Sequence, residues 1–271
     1  RLIVSGAHLD DNFGRTLKEI EDDGFKIHAE VKIDMDQDDL HSTANAIGSG
    51  ILSLSDILKE ISPDIFVVYA DRFEGFAAVI TGTQMNIPTA HIEGGDITEG
   101  GALDDSVRHA MTKLSHLHFT TNQQASNRIL AMGEEPWRVH TVGFPAIDLI
   151  SEGNYASTEE IEEAYNIDTN KPIILFTQHS VTTEFDLATE QLRPSLSALE
   201  QLSLKKDYQI FVTYPNNDAG GRKIIEEINS INNSKIKVFQ SLGRYFYHGV
   251  LALSLEDTKN VVCVGNSSSG I

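Results

Sequence analysis

The chain has 271 residues, 40 % of them hydrophobic and 23 % charged, which excludes a disordered tail, a collagen-like repeat and a coiled coil. With 21 basic against 40 acidic side chains, the formal charge is −19, spread along the chain. Such a field repels polyanions, so nucleic acid and anionic membrane are poor partners, and an anionic ligand would need identifiable local cations.

The opening Arg1-Leu2-Ile3-Val4 reads as mid-strand, with no initiator Met and no signal-peptide design. After a strand over 2–5, an acidic helix over 11–23 stops at Gly24, and a strand follows over 26–31. A helix over 40–61 ends at Ser62-Pro63, and strands over 64–70 and 89–93 flank a helix over 74–85. Next come a helix over 104–115, a strand over 116–120, a helix over 122–132 stopped by Gly133, and a strand over 139–142. Gly143-Phe144-Pro145 closes this run, and Glu152-Gly153-Asn154-Tyr155 is a polar, turn-rich link. Two domains are therefore expected, 1–151 and 152–271. A helix opens at Ser157-Thr158-Glu159-Glu160, where either hydroxyl can cap it. Strands over 172–178, 209–213, 235–239 and 260–264 then alternate with helices over 184–204 and 219–231. The single cysteine, Cys263, lies in the last of these strands; no intrachain disulfide is possible, and a reducing cytoplasm is expected. No apolar run approaches the ~20 residues that span a bilayer. The closing 265–271 reads as a loop cut before its helix, so the chain reads as part of a longer protein, incomplete at both ends.

Strand–helix repetition at this spacing means βαβ units and an α/β fold class, and continuous apolar strands mean parallel sheets covered on both faces. Two Rossmann-like halves facing across a cleft would bind ligands at the carboxyl ends of their strands. At those addresses stand Asp71-Arg72-Phe73-Glu74 and His91-Ile92-Glu93-Gly94-Gly95-Asp96. The first is equally an exposed turn with an acidic helix start. In the second, alternation puts His91 and Glu93 on one strand face, suited to acid–base work or metal binding or, equally, to a structural histidine tied to a loop. Asp104-Asp105-Ser106-Val107-Arg108-His109 opens a helix, with Asp104 facing Arg108 and Asp105 facing His109 at i,i+4. Capping explains one of these carboxylates, not the crowd of titratable groups between 91 and 109. His116-Leu117-His118 lacks a third ligand at an obvious spacing, and no metal site is expected. In the second half, Gln178-His179-Ser180, Tyr214-Pro215-Asn216-Asn217 and Gly265-Asn266-Ser267-Ser268-Ser269-Gly270 each follow a strand. Their imidazole, amide, hydroxyl and backbone donors suit a phosphate, although Ser/Gly loops are commonly only loops. There is neither a Walker A sequence nor a GxGxxG fingerprint.

DRFEGFAAVITGTQMNIPTAHIEGGDITEGGALDDSVRHAMTKLSHLHF over 71–119, with QHSVTTE, YPNNDAG and GNSSSGI, resembles the hydrolysing UDP-N-acetylglucosamine 2-epimerases of sialic- and legionaminic-acid type pathways. The resemblance runs from about residue 5 to the last residue, and the long central block is the specific part. It implies a GT-B type fold with the active site in the interdomain cleft. It also implies elimination of UDP to a glycal, hydration to the free 2-epimeric sugar (N-acetylmannosamine type), no cofactor, and a cytoplasmic homodimer or homotetramer. By position, Asp71, Glu93 and Asp104 or Asp105 match the family's acid–base carboxylates. Arg72, His179, Asn216, Asn266, Ser267 and Ser268 match its nucleotide and sugar contacts, with Arg72 and a protonated or hydrogen-bonding His179 as the local cations. The chain departs from the family where Ser180 replaces Pro and Asp96 replaces Glu. The family's first strand, its Arg-bearing loop and the Arg-Glu after GNSSSG are not in the chain. Competing readings are the non-hydrolysing epimerase, another GT-B nucleotide-sugar enzyme, and a non-catalytic binding protein. The substrate's 4-substituent, hydroxyl or acetamido, stays open.

Overall fold

A computed structural model describes residues 1–33, 37–98, 103–205, 207–255 and 261–267. In chain order the elements begin with β1 (Leu2–Ser5), α1 (Leu17–Asp22), β2 (Ile27–Val31), α2 (Leu40–Ile61), β3 (Phe66–Tyr69) and α3 (Phe73–Gln84). They continue with β4 (Thr89–Ile92), α4 (Leu103–Leu114), β5 (Leu117–Thr120), α5 (Gln123–Ala131), β6 (Val139–Thr141), α6 (Pro145–Ser151) and α7 (Thr158–Tyr165). The remainder are β7 (Ile173–Thr177), α8 (Ala188–Lys205), β8 (Gln209–Thr213), α9 (Gly221–Asn229), β9 (Ile236–Phe239), α10 (Gly243–Ala252) and β10 (Val261–Gly265). Every strand pairing is parallel. The fold class is α/β with two Rossmann-like units, as the alternation of elements requires.

The chain divides into one unit of Arg1–Leu9 and Phe25–Ile147 and another of Asp10–Gly24 and Asp148–Ile271. In the first, β1 pairs with β2, and a four-stranded sheet runs β3-β4-β5-β6. Helix α2 starts where the Asp39 carboxylate accepts from the Ser42 N–H (2.8 Å) and stops at Ser62, left-handed at φ 46°, before Pro63. Its buried residues, Ser42, Ala46, Gly50, Leu54 and Leu58, recur every fourth position, so one stripe faces the core. That core joins Val31 and Ile33 to Val68, Phe73, Ala77, Val79 and Met111.

In the second unit the order is β10-β7-β8-β9. All five residues of β7 are buried, and they alternate between two cores. Ile174 and Phe176 pack with Leu192, Leu196 and Ile224, while Ile173 and Leu175 pack with Ile161, Phe211 and Val250. Helix α7 opens on a capping box of Ser157 and Glu160, so of the two candidate hydroxyls Ser157 is the cap. Segment Asp10–Gly24 docks on this unit: the Glu19 carboxylate accepts from the Arg244 N–H (3.1 Å), and Arg244 reaches Asp23 (3.4 Å).

Two helical expectations need correction, and two helices come in addition. The helix over 11–23 is a 3-10 turn, Asp11–Phe13, then α1, separated by left-handed Gly14 (φ 86°) and Arg15 (φ 37°). The helix over 184–204 begins as a 3-10 turn, Thr182–Leu187, with Glu184 off helical geometry, before α8. Helices α6 and α10 were not expected. The first is short and buries no residue; the second, GRYFYHGVLA, mixes two glycines with aromatic residues of low helix propensity and is held by packing. Among the described residues, no helix is long and apolar enough to cross a membrane.

Candidate functional site

In the first unit the chain leaves β3 and β4 through two left-handed residues, Ala70 (φ 57°) and Glu93 (φ 63°). Neither is glycine, and neither caps a helix as Ser62 and Asn166 do, so backbone strain is concentrated at these two strand ends. The ladder continues through both: the Ala70 N–H donates to Ile92 O (3.0 Å) and the Glu93 N–H to Phe119 O (2.9 Å). Asp71 therefore sits just past one strand end and Glu93 just past the next.

Helix α4 brings the third group. Arg108 Nη2 pairs with Asp71, and Arg108 Nη1 lies 3.4 Å from Asp105 Oδ1. Asp105, at i,i+3, and the distant Asp71 both meet the Arg108 guanidinium. These three side chains are at most one-fifth exposed. Asp105 also accepts from the Thr98 N–H (2.7 Å), and Asp104 stands half-buried beside it in the first turn of α4. Burial raises the Glu93 carboxyl above its ordinary range; the Asp96 and Asp71 charges add to the rise, while Tyr69 and Arg108 oppose it. The Tyr69 hydroxyl donates to Glu93 Oε1. Arg72 lies 3.4 Å from the buried Glu74 carboxylate.

The loop after Glu93 is clamped from behind. Asp96 accepts from Thr121 Oγ1 (2.7 Å) and Asn122 Nδ2 (3.2 Å), and Arg128 donates to Gly95 O. Gly95 (φ 85°) sits against the Ala125 carbonyl, leaving no room for a Cβ. His91 is the structural alternative realised: fully buried, its Nε2 lies 2.7 Å from Ala70 O and its Nδ1 3.3 Å from Thr112 Oγ1. Burial pushes its pKa down to about 4, so the ring is neutral near pH 7. His116 and His118 do not converge: His116 Nδ1 accepts from the Thr89 N–H, and His118 lies 3.4 Å from Glu134. Among the described residues, no group of three His, Cys, Asp or Glu side chains could hold a metal ion.

In the second unit, sheet order sets the loops after β10, β7 and β8 side by side. Asn266 Oδ1 accepts from the His179 N–H (2.6 Å), and Asn266 Nδ2 donates to His179 O (3.0 Å). The Asn216 N–H donates to His179 Nδ1 (3.0 Å). An Nδ1 that accepts carries no proton, so the ring is neutral and presents Nε2–H as a donor. Ser267 is buried beside Asn266, and Gly265 (φ 130°) abuts the Thr177 carbonyl where any Cβ would collide. Ser268 lies outside the described residues.

Of the expected residues, Asp71, Arg72 and Glu93 follow β3 and β4, Asp104 and Asp105 stand in the first turn of α4, and His179, Asn216, Asn266 and Ser267 follow β7, β8 and β10. Sequence spacing missed Tyr69, which read as one more strand residue, and the bridging use of Arg108, which read as a helix-surface pair.

Parallel α/β units, with carboxylates following the strands of one and a donor-rich triple loop following those of the other, define an α/β protein of Rossmann type. Solved structures place the fold further. A UDP-GlcNAc 2-epimerase from Neisseria meningitidis bound to UDP-GlcNAc superposes with a TM-score of 0.73 at 18 % identity, over 98 % of this chain and 77 % of that one. The Methanocaldococcus jannaschii UDP-GlcNAc 2-epimerase with UDP-GlcNAc and UDP gives 0.72 at 17 % identity, over 99 % and 79 %. The UDP-N-acetylglucosamine 2-epimerase family model matches residues 1–271, and the chain belongs to that family. Among characterised relatives, UDP-N,N'-diacetylbacillosamine 2-epimerase (hydrolyzing) of Legionella pneumophila is 33 % identical over all of this chain and 69 % of its own length. GDP/UDP-N,N'-diacetylbacillosamine 2-epimerase (hydrolyzing) of Campylobacter jejuni is 32 % identical over all of this chain and 68 % of its own. UDP-N-acetylglucosamine 2-epimerase of Neisseria meningitidis serogroup B is 34 % identical over all of this chain and 67 % of its own.

Proposed function

We propose that the protein is a hydrolysing 2-epimerase. It takes UDP-N-acetylglucosamine, or a 4-acetamido-trideoxy relative, to UDP and the free 2-epimeric sugar. The observation that carries this reading is the gathering of Asp71 and Glu93, at adjacent strand ends, with Asp105 of the first turn of α4 around Arg108, and Glu93 held above the ordinary carboxylate range. The C2 proton of an N-acetylhexosamine is weakly acidic, so its removal needs a positioned base and a stabilised leaving group. In the first step a carboxylate of this set takes the C2 proton, the C1–O bond breaks, and UDP leaves to give the glycal. In the second, water adds to C1 while a carboxylate takes its proton, and a carboxylic acid on the face opposite the first base gives a proton to C2. A carboxyl with a raised pKa is suited to hold the proton that one of these steps delivers. Asp104 joins this set as a neighbour of Asp105.

Arg72, His179, Asn216, Asn266, Ser267 and Ser268 are assigned to the diphosphate, uridine and sugar. His179 contributes its Nε2–H as a neutral donor, and Arg72 supplies positive charge against the −19 background. Two relatives named as hydrolyzing enzymes favour loss of UDP; a relative at 34 % identity named simply UDP-N-acetylglucosamine 2-epimerase keeps the non-hydrolysing reaction as the second reading. Incubation with each UDP-sugar, followed by assay of UDP and NMR of the sugar, separates them. UDP with free N-acetylmannosamine-type sugar is the expected product. Intact UDP-N-acetylmannosamine overturns hydrolysis, and binding without turnover overturns catalysis.

A further inference from the structure

We infer that Tyr69 is a positioning residue for Glu93, donating the hydrogen bond that orients this carboxylate and keeps its ionised form accessible. The inference rests on the reading of Glu93 as an acid–base group. Tyr69 is the last residue of β3, in register with Ile92, so its side chain leaves the sheet one step before Glu93 does. Along β3 the core takes Val68, while Val67 and Tyr69 point the other way and stay 55 % and 51 % exposed. The ring is therefore no core filler, and its hydroxyl reaches Glu93 Oε1. The backbone behind it is fixed on both sides: Ala70 N–H is bonded to Ile92 O, and Ala70 O is bonded to His91 Nε2. Glu93 itself is strained at φ 63°, so a second anchor on its side chain defines where its carboxylate lies.

The charges around Glu93 explain why a neutral donor belongs there. Asp71 follows β3 and Asp96 follows the Gly94-Gly95 turn, and both repel the ionised form; Arg108 of α4 favours it. Arg108 is already engaged by Asp71 and Asp105. Tyr69 adds a donor without adding charge. Burial, then the Glu93 contact, raises the phenol above its ordinary range, so it remains protonated wherever carboxylates titrate.

Tyr69→Phe removes only the hydroxyl from a half-exposed ring. In the intact chain, two measurements are read together: carboxyl ¹³C NMR titration of Glu93, and the pH profile of kcat/KM for UDP release from UDP-N-acetylglucosamine. The variant should raise the Glu93 titration and the acidic limb of the profile by about one pH unit, the scale of one lost hydrogen bond to a charged group. On the acidic limb of the profile turnover should fall, by up to about 10-fold, with UDP affinity unchanged. Tyr69→2,3-difluorotyrosine, a stronger donor of the same shape, should move both in the opposite sense. An unmoved Glu93 titration in both variants overturns the inference. A Glu93 titration that moves while the rate profile does not supports the pairing and overturns the acid–base reading of Glu93.

Discussion

Arg108 is the residue on which the carboxylate set depends. Its guanidinium separates two acids that would otherwise repel, in a site at most one-fifth exposed. Arg108→Ala should therefore destabilise the fold by about 2–3 kcal/mol in urea denaturation, the cost of leaving partly buried charges unpaired. The isosteric amides Asp71→Asn, Glu93→Gln and Asp105→Asn change charge rather than shape. Turnover in these should drop roughly 10²–10⁴-fold while calorimetry finds UDP binding preserved; wild-type turnover in all three would remove the catalytic assignment. His91 makes a prediction about pH rather than rate. Its folded pKa of about 4 lies below its unfolded value near 6.5, so between these the unfolded chain binds the extra proton. Its contribution is complete above pH 6.5 and is lost progressively as pH falls towards 4, up to about 3 kcal/mol at about 1.4 kcal/mol per unit. His91→Gln should flatten that stretch of the pH–stability curve, measured by urea melts at stepped pH.

The strand-to-helix junctions are where sequence pattern becomes geometry. Each strand end was legible because a short apolar run stops at a polar cluster, and β1 and β8 fall on their expected boundaries. The junction between β4 and α4 also needs Gly95 at φ 85°, against Ala125 O, to turn the chain after Glu93. Gly95→Ala should cost about 2 kcal/mol or more in thermal unfolding, from left-handed strain and the backbone collision together. The corresponding junction in the second unit is the clasp of Asn266 on His179. His179→Ala should weaken UDP binding by roughly 1–3 kcal/mol in calorimetry, the value of one hydrogen bond to a charged group. Helix α10 shows the opposite case. Its glycines and aromatic residues carry little helical signal, and Val250 and Gly249, buried against Ala156 and Ile161, hold it in place instead.

Across the chain as a whole, a charge of −19 coexists with a proposed anionic substrate. In the proposed reading the attraction comes from local donors, Arg72, the His179 Nε2–H and the backbone N–H groups that follow β7 and β8. No divalent metal is called on to bridge the phosphates, so UDP release should proceed undiminished in EDTA. Loss of activity there, restored by Mg²⁺ or Mn²⁺, would overturn this reading.

Local order in the sequence was enough for the class of fold, the ten strands of the described residues in order, most helices, and the strand ends that carry the polar clusters. Those features depend on periodicity, caps and breakers within a few residues of each other. What folding alone settled are the long-range partnerships. Asp71 meets Arg108 across 37 residues, Tyr69 meets Glu93 across 24, and His179 meets Asn266 across 87. Segment Asp10–Gly24 joins the second unit through Glu19 and Arg244, 225 residues apart. Each of these follows from strand order and from which residue happens to stand at a strand's end when the register closes. Neighbouring residues carry no record of that, because one residue of slip in any parallel pair would send the same side chains to the opposite face.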